Sequence, residues 1–239
     1  MAAYEALFET LMPHLPDVNK ARIRFLSKLV TALIVSNTIS YEYLARKIET
    51  RAKLSSVYRS IQRFFASFEI DAFTVARLMV SLVPIGQHGW ILTLDRTNWK
   101  FGKTNINFLV LGVAYQGVAI PLFWTLLDKR GNSNWKERID IVSQFVECFG
   151  TDVIECFTAD REFIGHNWLH YLKSEDIPIC IRTKANIQIT DRNGVLKPGN
   201  RLFSHLGAGE HSILEQRQTM GLVFDIVGCR LPTGEYLIL

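Results

Sequence analysis

The sequence predicts a mixed α/β domain preceded by a basic, helical segment. Three observations predict this fold class. Up to residue 88, apolar residues recur at helical spacing. From Gly89 onward, short apolar runs rich in β-branched and aromatic residues alternate with amphipathic stretches. Apolar residues also make up 48% of the 239 residues, which is enough to bury a substantial core.

Residues 1–88 are predicted to form a helical head. The helical spacing is carried by a run of apolar residues: Leu26, Leu29, Val30, Leu33 and Ile34. Ser40 is expected to cap a helix that begins at Tyr41, because a serine side chain can accept a hydrogen bond from an unpaired amide of the first turn. Ser55 or Ser56 is expected to cap the next helix.

Positive charge is concentrated in this head. Between Lys20 and Arg63 there are ten lysines and arginines and two glutamates, whereas the whole chain carries a net charge of +4. A basic head on a mildly acidic body indicates nucleic-acid binding better than the total charge does. Arg59 and Arg63, four residues apart, share a helix face and can reach phosphates or base edges if that helix enters a groove. The alternative is a solvated basic face.

Residues 89–184 are predicted to form the core. The predicted elements are, in order, the strands Trp90–Asp95, Ile106–Tyr115 and Val118–Leu127, the helix Asn132–Phe149 capped by Asn132 or Ser133, the strand Val153–Thr158, the helix Phe163–Lys173 and the strand Ile177–Arg182. Two antiparallel connections come first and helical crossovers follow, so the predicted sheet is mixed. Three antiparallel strands, helix, strand, helix, strand is the element order of the ribonuclease-H-like core.

An uncharged stretch from Thr104 to Leu127 is long enough to span a bilayer. Glycine and proline interrupt it, and Tyr115-Gln116-Gly117 is typical of a hairpin turn between two buried strands. We therefore predict a hairpin and no membrane partner.

Residues 185–239 are predicted to start a β-rich insertion. The segment is polar and rich in turns, with strand-like runs at Leu222–Cys229 and Tyr236–Leu239. Because the chain stops inside an apolar strand, we expect the insertion to be incomplete.

Several other classes of site are not expected. The four cysteines form no CxxC pair, which favours reduced thiols and a cytoplasmic location over disulfides or a zinc site. The glycines form neither a P-loop nor a dinucleotide fingerprint, and no serine lies in a GxSxG elbow. His166 and His170 are four apart but lack the HExxH pattern, so a surface or core pair is expected rather than a metal site.

Two aspartates are the candidate catalytic residues. Asp95 and Asp160 each follow an apolar strand. If the two strands are neighbours, both carboxylates project from one edge of the sheet and can share Mg²⁺ or Mn²⁺, which prefer oxygen ligands and serve phosphoryl chemistry in pairs. The alternative is that each aspartate caps a turn or a helix.

The residues around these aspartates are LDRTNW from Leu94 to Trp99 and TADREF from Thr158 to Phe163. They resemble the first and second catalytic motifs of the insertion-sequence-four family of DDE-type DNA transposases. Further segments that resemble the family are Pro121–Trp124, Gly131–Ser133, Glu137-Arg138, Ile181–Asn186 and, in the head, Tyr58–Phe65.

The resemblance implies that Asp95 and Asp160 are the first two metal-binding carboxylates. It implies metal-dependent cleavage and strand transfer at insertion-sequence ends, with double-stranded DNA (transposon ends and target) as the partner and a homodimer on the DNA. The family's third motif, which carries the catalytic Glu between an Arg and a Lys, does not occur in this sequence. We therefore predict a truncated transposase that is inactive as this chain. The alternatives are a non-catalytic DNA-binding protein that acts as an inhibitor, a relic, or a cellular nuclease.

Three basic residues follow the second motif and its partner strand: Arg161, Arg182 and Lys184. We expect them to contact phosphates near the metals. The alternative is ion pairing with local carboxylates such as Glu162. Trp99 is expected to be a packing residue rather than a base-stacking one.

Overall fold

The computed structural model describes residues 3–239. They form two compact units that divide between Leu82 and Val83.

The N-terminal unit is helical. Its helices are α1 (Ala3–Leu11), α2 (Lys20–Ser36), α3 (Tyr41–Lys47), α4 (Leu54–Ser67) and α5 (Ala72–Leu82), with a 3-10 turn at Met12–His14. Two apolar clusters hold these helices together. One includes Leu29, Leu44 and Ile61, and the other includes Phe8 and Ile23. Each large apolar side chain buried in this way stabilises the fold by about 2 kcal/mol.

The helix caps differ from the predicted ones. Ser40 does precede α3, but its side chain makes no capping hydrogen bond. The prediction that Ser55 or Ser56 caps α4 is wrong, because α4 begins at Leu54 and its N-cap is Lys53 in an extended conformation. The carbonyl of Lys53 accepts the first helical hydrogen bonds, so both serines lie inside the first turn.

The second unit contains a five-stranded sheet in the order β3-β2-β1-β4-β5. The strands are β1 (Trp90–Phe101), β2 (Thr104–Tyr115), β3 (Val118–Leu126), β4 (Ile154–Ala159) and β5 (Ile179–Ile181). β1, β2 and β3 pair antiparallel, whereas β4 pairs parallel with both β1 and β5. Helices α6 (Trp135–Phe149) and α7 (His166–Ser174) form the crossovers. This is the ribonuclease-H-like mixed sheet that the sequence predicts.

Both helices cover the same face of the sheet. Phe145 of α6 contacts Trp90 and Phe123, with ring centroids 6.0 and 6.4 Å apart. Trp168 of α7 contacts Phe157 at 5.5 Å. Phe157 is opposite Leu92 in the β1–β4 register, and Leu92 has the same strand parity as Trp90. The buried core of the second unit therefore lies between this face and the two helices.

Helix α6 begins at Trp135, three residues later than predicted. Its N-cap is Asn134, whose side chain accepts a hydrogen bond from the Glu137 amide while the Glu137 carboxylate accepts one from the Asn134 amide. This reciprocal capping box satisfies two amides that the helix leaves unpaired. Asn132 and Ser133 are therefore not the cap, and the Ser133 side chain has another partner inside the protein.

Strand β1 is longer than predicted. The apolar run ends at Asp95, but β1 continues to Phe101 because β2 pairs with it from Leu92, opposite Val113, to Phe101, opposite Thr104. Asp95 therefore lies within β1, at the point where its other neighbour, β4, has ended.

The predicted hairpin between residues 104 and 127 is confirmed. Gln116 and Gly117 form its turn with φ angles of 48° and 82°, the left-handed pair that a two-residue hairpin turn requires. Within residues 3–239 no single helix has the length and apolar character to cross a membrane. The bent pair α2 and α3, which meet at 106°, meets the length and composition test only when taken together.

Residues 188–238 add two small antiparallel sheets, as the β-rich character predicts. Their elements are β6 (Gln188–Thr190), β7 (Leu196–Pro198), the short helix α8 (Gly199–Leu202), β8 (His211–Thr219), β9 (Leu222–Arg230) and β10 (Tyr236–Ile238). They share a buried cluster that includes Ile189, Phe203 and Ile226.

Candidate metal and nucleic-acid site

Asp95 and Asp160 occupy equivalent positions on neighbouring strands. β1 and β4 run parallel, and the last pair in their register is Leu94 opposite Ala159. Each aspartate is the next residue along its strand. Because neighbouring strands lie about 4.8 Å apart, the two residues lie side by side, Asp95 within β1 and Asp160 directly after the end of β4. The strands that precede Asp95 and Asp160 are therefore neighbours in the sheet, which is the condition that the sequence prediction set.

The two carboxylates are held in the same way. In each, Oδ1 accepts a hydrogen bond of 2.7 Å from the backbone amide of the next residue, Arg96 or Arg161. Both side chains are exposed. In the described part of the chain, neither Oδ2 takes part in a hydrogen bond or an ion pair. Two solvent-facing carboxylates with free oxygens fit a hard divalent cation such as Mg²⁺ or Mn²⁺.

The pair has no third partner among residues 3–239. No group of three or more His, Cys, Asp or Glu side chains in this range is placed to hold a metal ion. Glu210, which lacks the companions of the family's third motif, accepts a hydrogen bond from the Gly207 amide in the β-rich part of the chain. The described residues thus supply two carboxylates of a candidate metal site.

An ion pair joins the two segments that carry these aspartates. The Arg96 guanidinium donates from Nε to Glu162 Oε1 at 3.0 Å and from Nη2 to Oε2 at 3.3 Å. The arginine is 13% exposed and the glutamate 27%, so solvent screens the pair only partly. The hydrogen bonds that Arg96 donates to Glu162 raise the pKa of Arg96. This pair was not among the predicted site residues, although both residues lie in the quoted motifs.

Arg138 forms a second connection from helix α6. Its guanidinium donates to the Ser133 carbonyl at 2.6 Å, to the Ser133 hydroxyl at 3.0 Å and to the Glu162 carbonyl at 3.3 Å. It also lies 5.1 Å from the Phe163 ring centroid. Burial lowers the pKa of Arg138, while the charges of Glu162 and Glu137 oppose that shift.

Asn107 extends the network to the loop after β3. The side chain is 2% exposed. Its amide nitrogen donates to the carbonyls of Lys129 and Gly131 at 3.1 and 3.0 Å, and its oxygen accepts from Arg96 Nη1 at 3.5 Å. Nothing in the sequence around Asn107 marks this role, because its partners are about twenty residues further along the chain.

No family model and no curated protein matches the sequence. Among solved structures, the chain is similar to the catalytic core domain of the HTLV-2 integrase in complex with magnesium in its dimeric form, at 18% identity over 40% of this chain and 60% of that one, with a TM-score of 0.30. The trimeric form of the same domain gives 17% identity over 39% and 60%, with a TM-score of 0.31. The simian T-cell lymphotropic virus intasome in complex with the PP2A regulatory subunit B56 gamma gives 15% identity over 55% and 44%, with a TM-score of 0.32. The matches therefore span 44–60% of those chains.

Arg161 and Arg182 lie beside the Asp160 end of β4. Arg161 follows Asp160 directly, and the Arg182 amide donates to the Ala159 carbonyl at 3.3 Å. Both side chains are exposed, as is that of Lys184 two residues further on. The alternative that Arg161 pairs with Glu162 is wrong, since Glu162 binds Arg96 instead.

Arg59 and Arg63 are exposed on α4, and Val57 and Ile61 form the buried side of that helix. Arg63 donates to the Ser60 hydroxyl at 3.3 Å. Three other cations of the head have partners within it: Arg22 with the Ser67 carbonyl, Lys28 with the Glu49 carbonyl, and Arg46 with the Glu42 carboxylate. The charge of α4 therefore remains available to an external anion.

Two other sequence features are placed by the structure. The Trp99 ring is 47% exposed and packs against Phe108 with centroids 5.5 Å apart. His166 forms a hydrogen bond of 2.7 Å through Nδ1 with the Met220 carbonyl, and its ring is 6.0 Å from that of His170.

Proposed function

We propose that this chain carries the first two metal-binding carboxylates of a DDE-type DNA transposase. The observation that carries the proposal is the equivalent placement of Asp95 and Asp160 on the parallel strands β1 and β4. Strand adjacency alone brings the two oxygen ligands together, as phosphoryl transfer with bound metal requires.

Asp95 and Asp160 would hold Mg²⁺ or Mn²⁺. Bound metal would supply activation of a water and stabilisation of charge on the phosphate. The chain's own contribution is to orient the ligands, since the next backbone amide donates a hydrogen bond to Oδ1 of each aspartate. Arg161, Arg182 and Lys184 would neutralise phosphate charge beside the Asp160 strand end.

The finer assignment to insertion-sequence-four transposases rests on the motif residues. Arg96, Ser133, Arg138 and Glu162, which belong to four separate segments that resemble the family, lie in one hydrogen-bonded network. Because these four residues bind one another, there is a physical reason for the four motif segments to occur in the same chain.

We further propose that the chain binds double-stranded DNA through Arg59 and Arg63 and acts as a homodimer on DNA in the cytoplasm. Catalysis by a DDE site needs a third carboxylate, and residues 3–239 bring none to Asp95 and Asp160. This chain by itself is accordingly proposed to bind transposon ends without cutting them. A non-catalytic DNA-binding protein, acting as an inhibitor, is the second candidate and is favoured by the exposed cations of α4.

Metal binding is the first test. Titration with Mn²⁺, followed by the electron paramagnetic resonance signal of the free ion, should show a bound ion in the wild-type chain. The substitutions Asp95→Asn and Asp160→Asn should each abolish that binding. Asp140→Asn, an exposed aspartate on α6, is the matched control and should bind as the wild type does. Wild-type binding in both site variants would refute the proposed site.

Cleavage is the second test. A duplex that carries the transposon end, incubated with the chain and Mg²⁺, should remain intact while forming a complex in a mobility-shift assay. Metal-dependent cutting that is lost in Asp95→Asn would show that this chain is an active nuclease and would overturn the proposal of inactivity.

A further inference from the structure

A groove of about 290 Å³ lies along the extended part of the β1–β2 hairpin. We call it the hairpin groove. Its lining residues are Arg96, Asn98, Trp99, Lys100, Asn105, Asn107, Lys129, Arg130 and Gly131. It lies beyond the candidate metal site along β1, in the segment by which β1 exceeds its predicted length.

Strand alternation determines which side chains face the groove. Asn98 is opposite Asn107, and Lys100 is opposite Asn105, so these four side chains lie on one face of the hairpin together with Arg96. Asp95 has the other parity, and so does Trp99, although Trp99 also lines the groove. The polar side chains of the groove thus share the face that the helices cover further along the sheet.

The groove carries uncompensated positive charge. Its lining includes four cationic residues and no carboxylate. Two of the cations are neutralised, because Arg96 binds Glu162 at 3.0 Å and Lys129 binds Glu137 at 2.7 Å. The other two are Lys100 and Arg130, which are exposed and have no carboxylate partner in the described part of the chain.

The two sides of the groove are fixed relative to each other. Asn107 holds the loop that carries Arg130, because its buried amide donates to the carbonyls on both sides of that residue, those of Lys129 and Gly131. Lys100 lies on β1, which pairs with the strand of Asn107. The backbone segments that carry the two cations are thus held in advance, so less conformational entropy is lost when an anion binds to both.

We propose that the hairpin groove binds the phosphodiester backbone of DNA, with Lys100 and Arg130 as the phosphate contacts and the asparagine amides as neutral donors. At about 3.3 Å per residue, Lys100 lies about 16 Å along β1 from Asp95, so it would contact DNA away from the bond that is cut. That the bound DNA is the strand that enters the metal site rests on the proposed function. Phosphate contact itself carries no base specificity.

The test uses the full chain and a fluorescent 20-base-pair duplex of arbitrary sequence in EDTA, so that bound metal plays no part. The dissociation constant is measured by anisotropy at several salt concentrations. Each phosphate contact that is lost lowers the slope of log K against log salt by about 0.9. The double variant Lys100→Ala/Arg130→Ala should therefore lose about 1.8 from the slope.

Lys103→Ala is the matched control, since Lys103 is an exposed lysine in the turn of the same hairpin and does not line the groove. It should retain the wild-type slope. The charge-conserving Lys100→Arg/Arg130→Lys variant should also retain it, which separates loss of contact from misfolding. A double alanine variant with the slope of Lys103→Ala would overturn the proposal. Displacement of the duplex by an equal concentration of inorganic phosphate would also overturn it, because the groove would then be a small-anion site.

Failure of the groove and failure of the proposed function give different results. Suppose that Asp95→Asn and Asp160→Asn bind Mn²⁺ normally, while Lys100→Ala/Arg130→Ala has a smaller slope of log K against log salt. The metal site is then refuted, and the groove remains a nucleic-acid surface. If metal binding behaves as proposed and the slope does not change, the groove alone is refuted.

Discussion

The Arg96 guanidinium binds both oxygens of the Glu162 carboxylate, at 3.0 and 3.3 Å, although 66 positions separate the two residues in the chain. Arg96 follows Asp95 directly and Glu162 follows Asp160 by two residues. The pair therefore connects β1 to the segment after β4, just beyond the two candidate metal ligands.

Removal of this pair should weaken metal binding and the fold together. Glu162→Gln keeps one acceptor but loses the charge, and charged hydrogen bonds contribute about 1.5–3 kcal/mol. Since the pair is partly exposed, we expect a loss of about 1–2 kcal/mol in the free energy of unfolding, measured by urea denaturation. Mn²⁺ affinity should fall in the same variant under conditions where it remains fully folded.

The control for that experiment is Glu42→Gln, which breaks the exposed Arg46–Glu42 pair in the head, where the side chains are 58% and 62% exposed. It should change stability by less than about 0.5 kcal/mol. Unchanged Mn²⁺ affinity in Glu162→Gln, with stability reduced as expected, would show that the ion pair has a purely structural role.

Asn107 should be among the polar side chains most sensitive to substitution. Asn107→Leu removes both hydrogen bonds to the loop carbonyls, which are not fully buried, so each lost bond should cost about 0.5–1.5 kcal/mol. The sum is about 1–3 kcal/mol of unfolding free energy, measured by denaturant titration. Asn105→Leu, at a less buried position two residues earlier, should cost much less. Equal losses in the two variants would contradict the role assigned to the Asn107 amide.

The head should contribute its own salt-dependent DNA binding through α4. Arg59→Ala/Arg63→Ala should reduce the slope of log K against log salt by about 2, if both side chains contact phosphates. Arg46→Ala removes a cation that already has a carboxylate partner at 2.7 Å and should leave the slope unchanged. A slope that responds equally to both variants would indicate diffuse attraction rather than a defined surface on α4.

The β-rich part contains a carboxylate with a perturbed acidity. The hydrogen bond from Lys197, followed by backbone hydrogen bonds, lowers the pKa of Asp191 from 3.8 to about 2. Because the folded-state pKa is below the unfolded one, the stabilisation is present above pH 4 and is lost as the pH falls toward 2. Carboxyl carbon NMR should show the low midpoint in the wild type.

Lys197→Met should raise the midpoint of Asp191 toward its ordinary value, since Lys197 is the largest cause of the shift. Arg192→Met removes a neighbouring cation that makes no ion pair with Asp191 within residues 3–239 and is the control. A midpoint that stays near 2 in Lys197→Met would attribute the shift to the backbone amides of Asn193 and Val195 instead.

The sequence by itself determined the order and type of the elements in the core, residues 89–184. This was possible because the periods of strands and helices are local properties of the chain. The positive-φ turn at Gln116 and Gly117 is likewise local chemistry. The sequence could likewise predict that Asp95 and Asp160 follow apolar strands, because an apolar run is a local feature of the chain.

Only the tertiary structure decided the length of β1 and the partners of its polar residues. Residues 96–101 include Arg96, Asn98 and Lys100, which have no apolar period, and they are strand because β2 supplies their backbone partners. The predicted cap of α6, Asn132 or Ser133, was wrong, because Asn134 forms the capping box with Glu137 and the Ser133 hydroxyl accepts from Arg138 instead. The pairing of Arg96 with Glu162, rather than of Arg161 with Glu162, depends on which side chains the parallel β1–β4 register brings together. No local pattern encodes that register, since it results from burying one face of the whole sheet under α6 and α7.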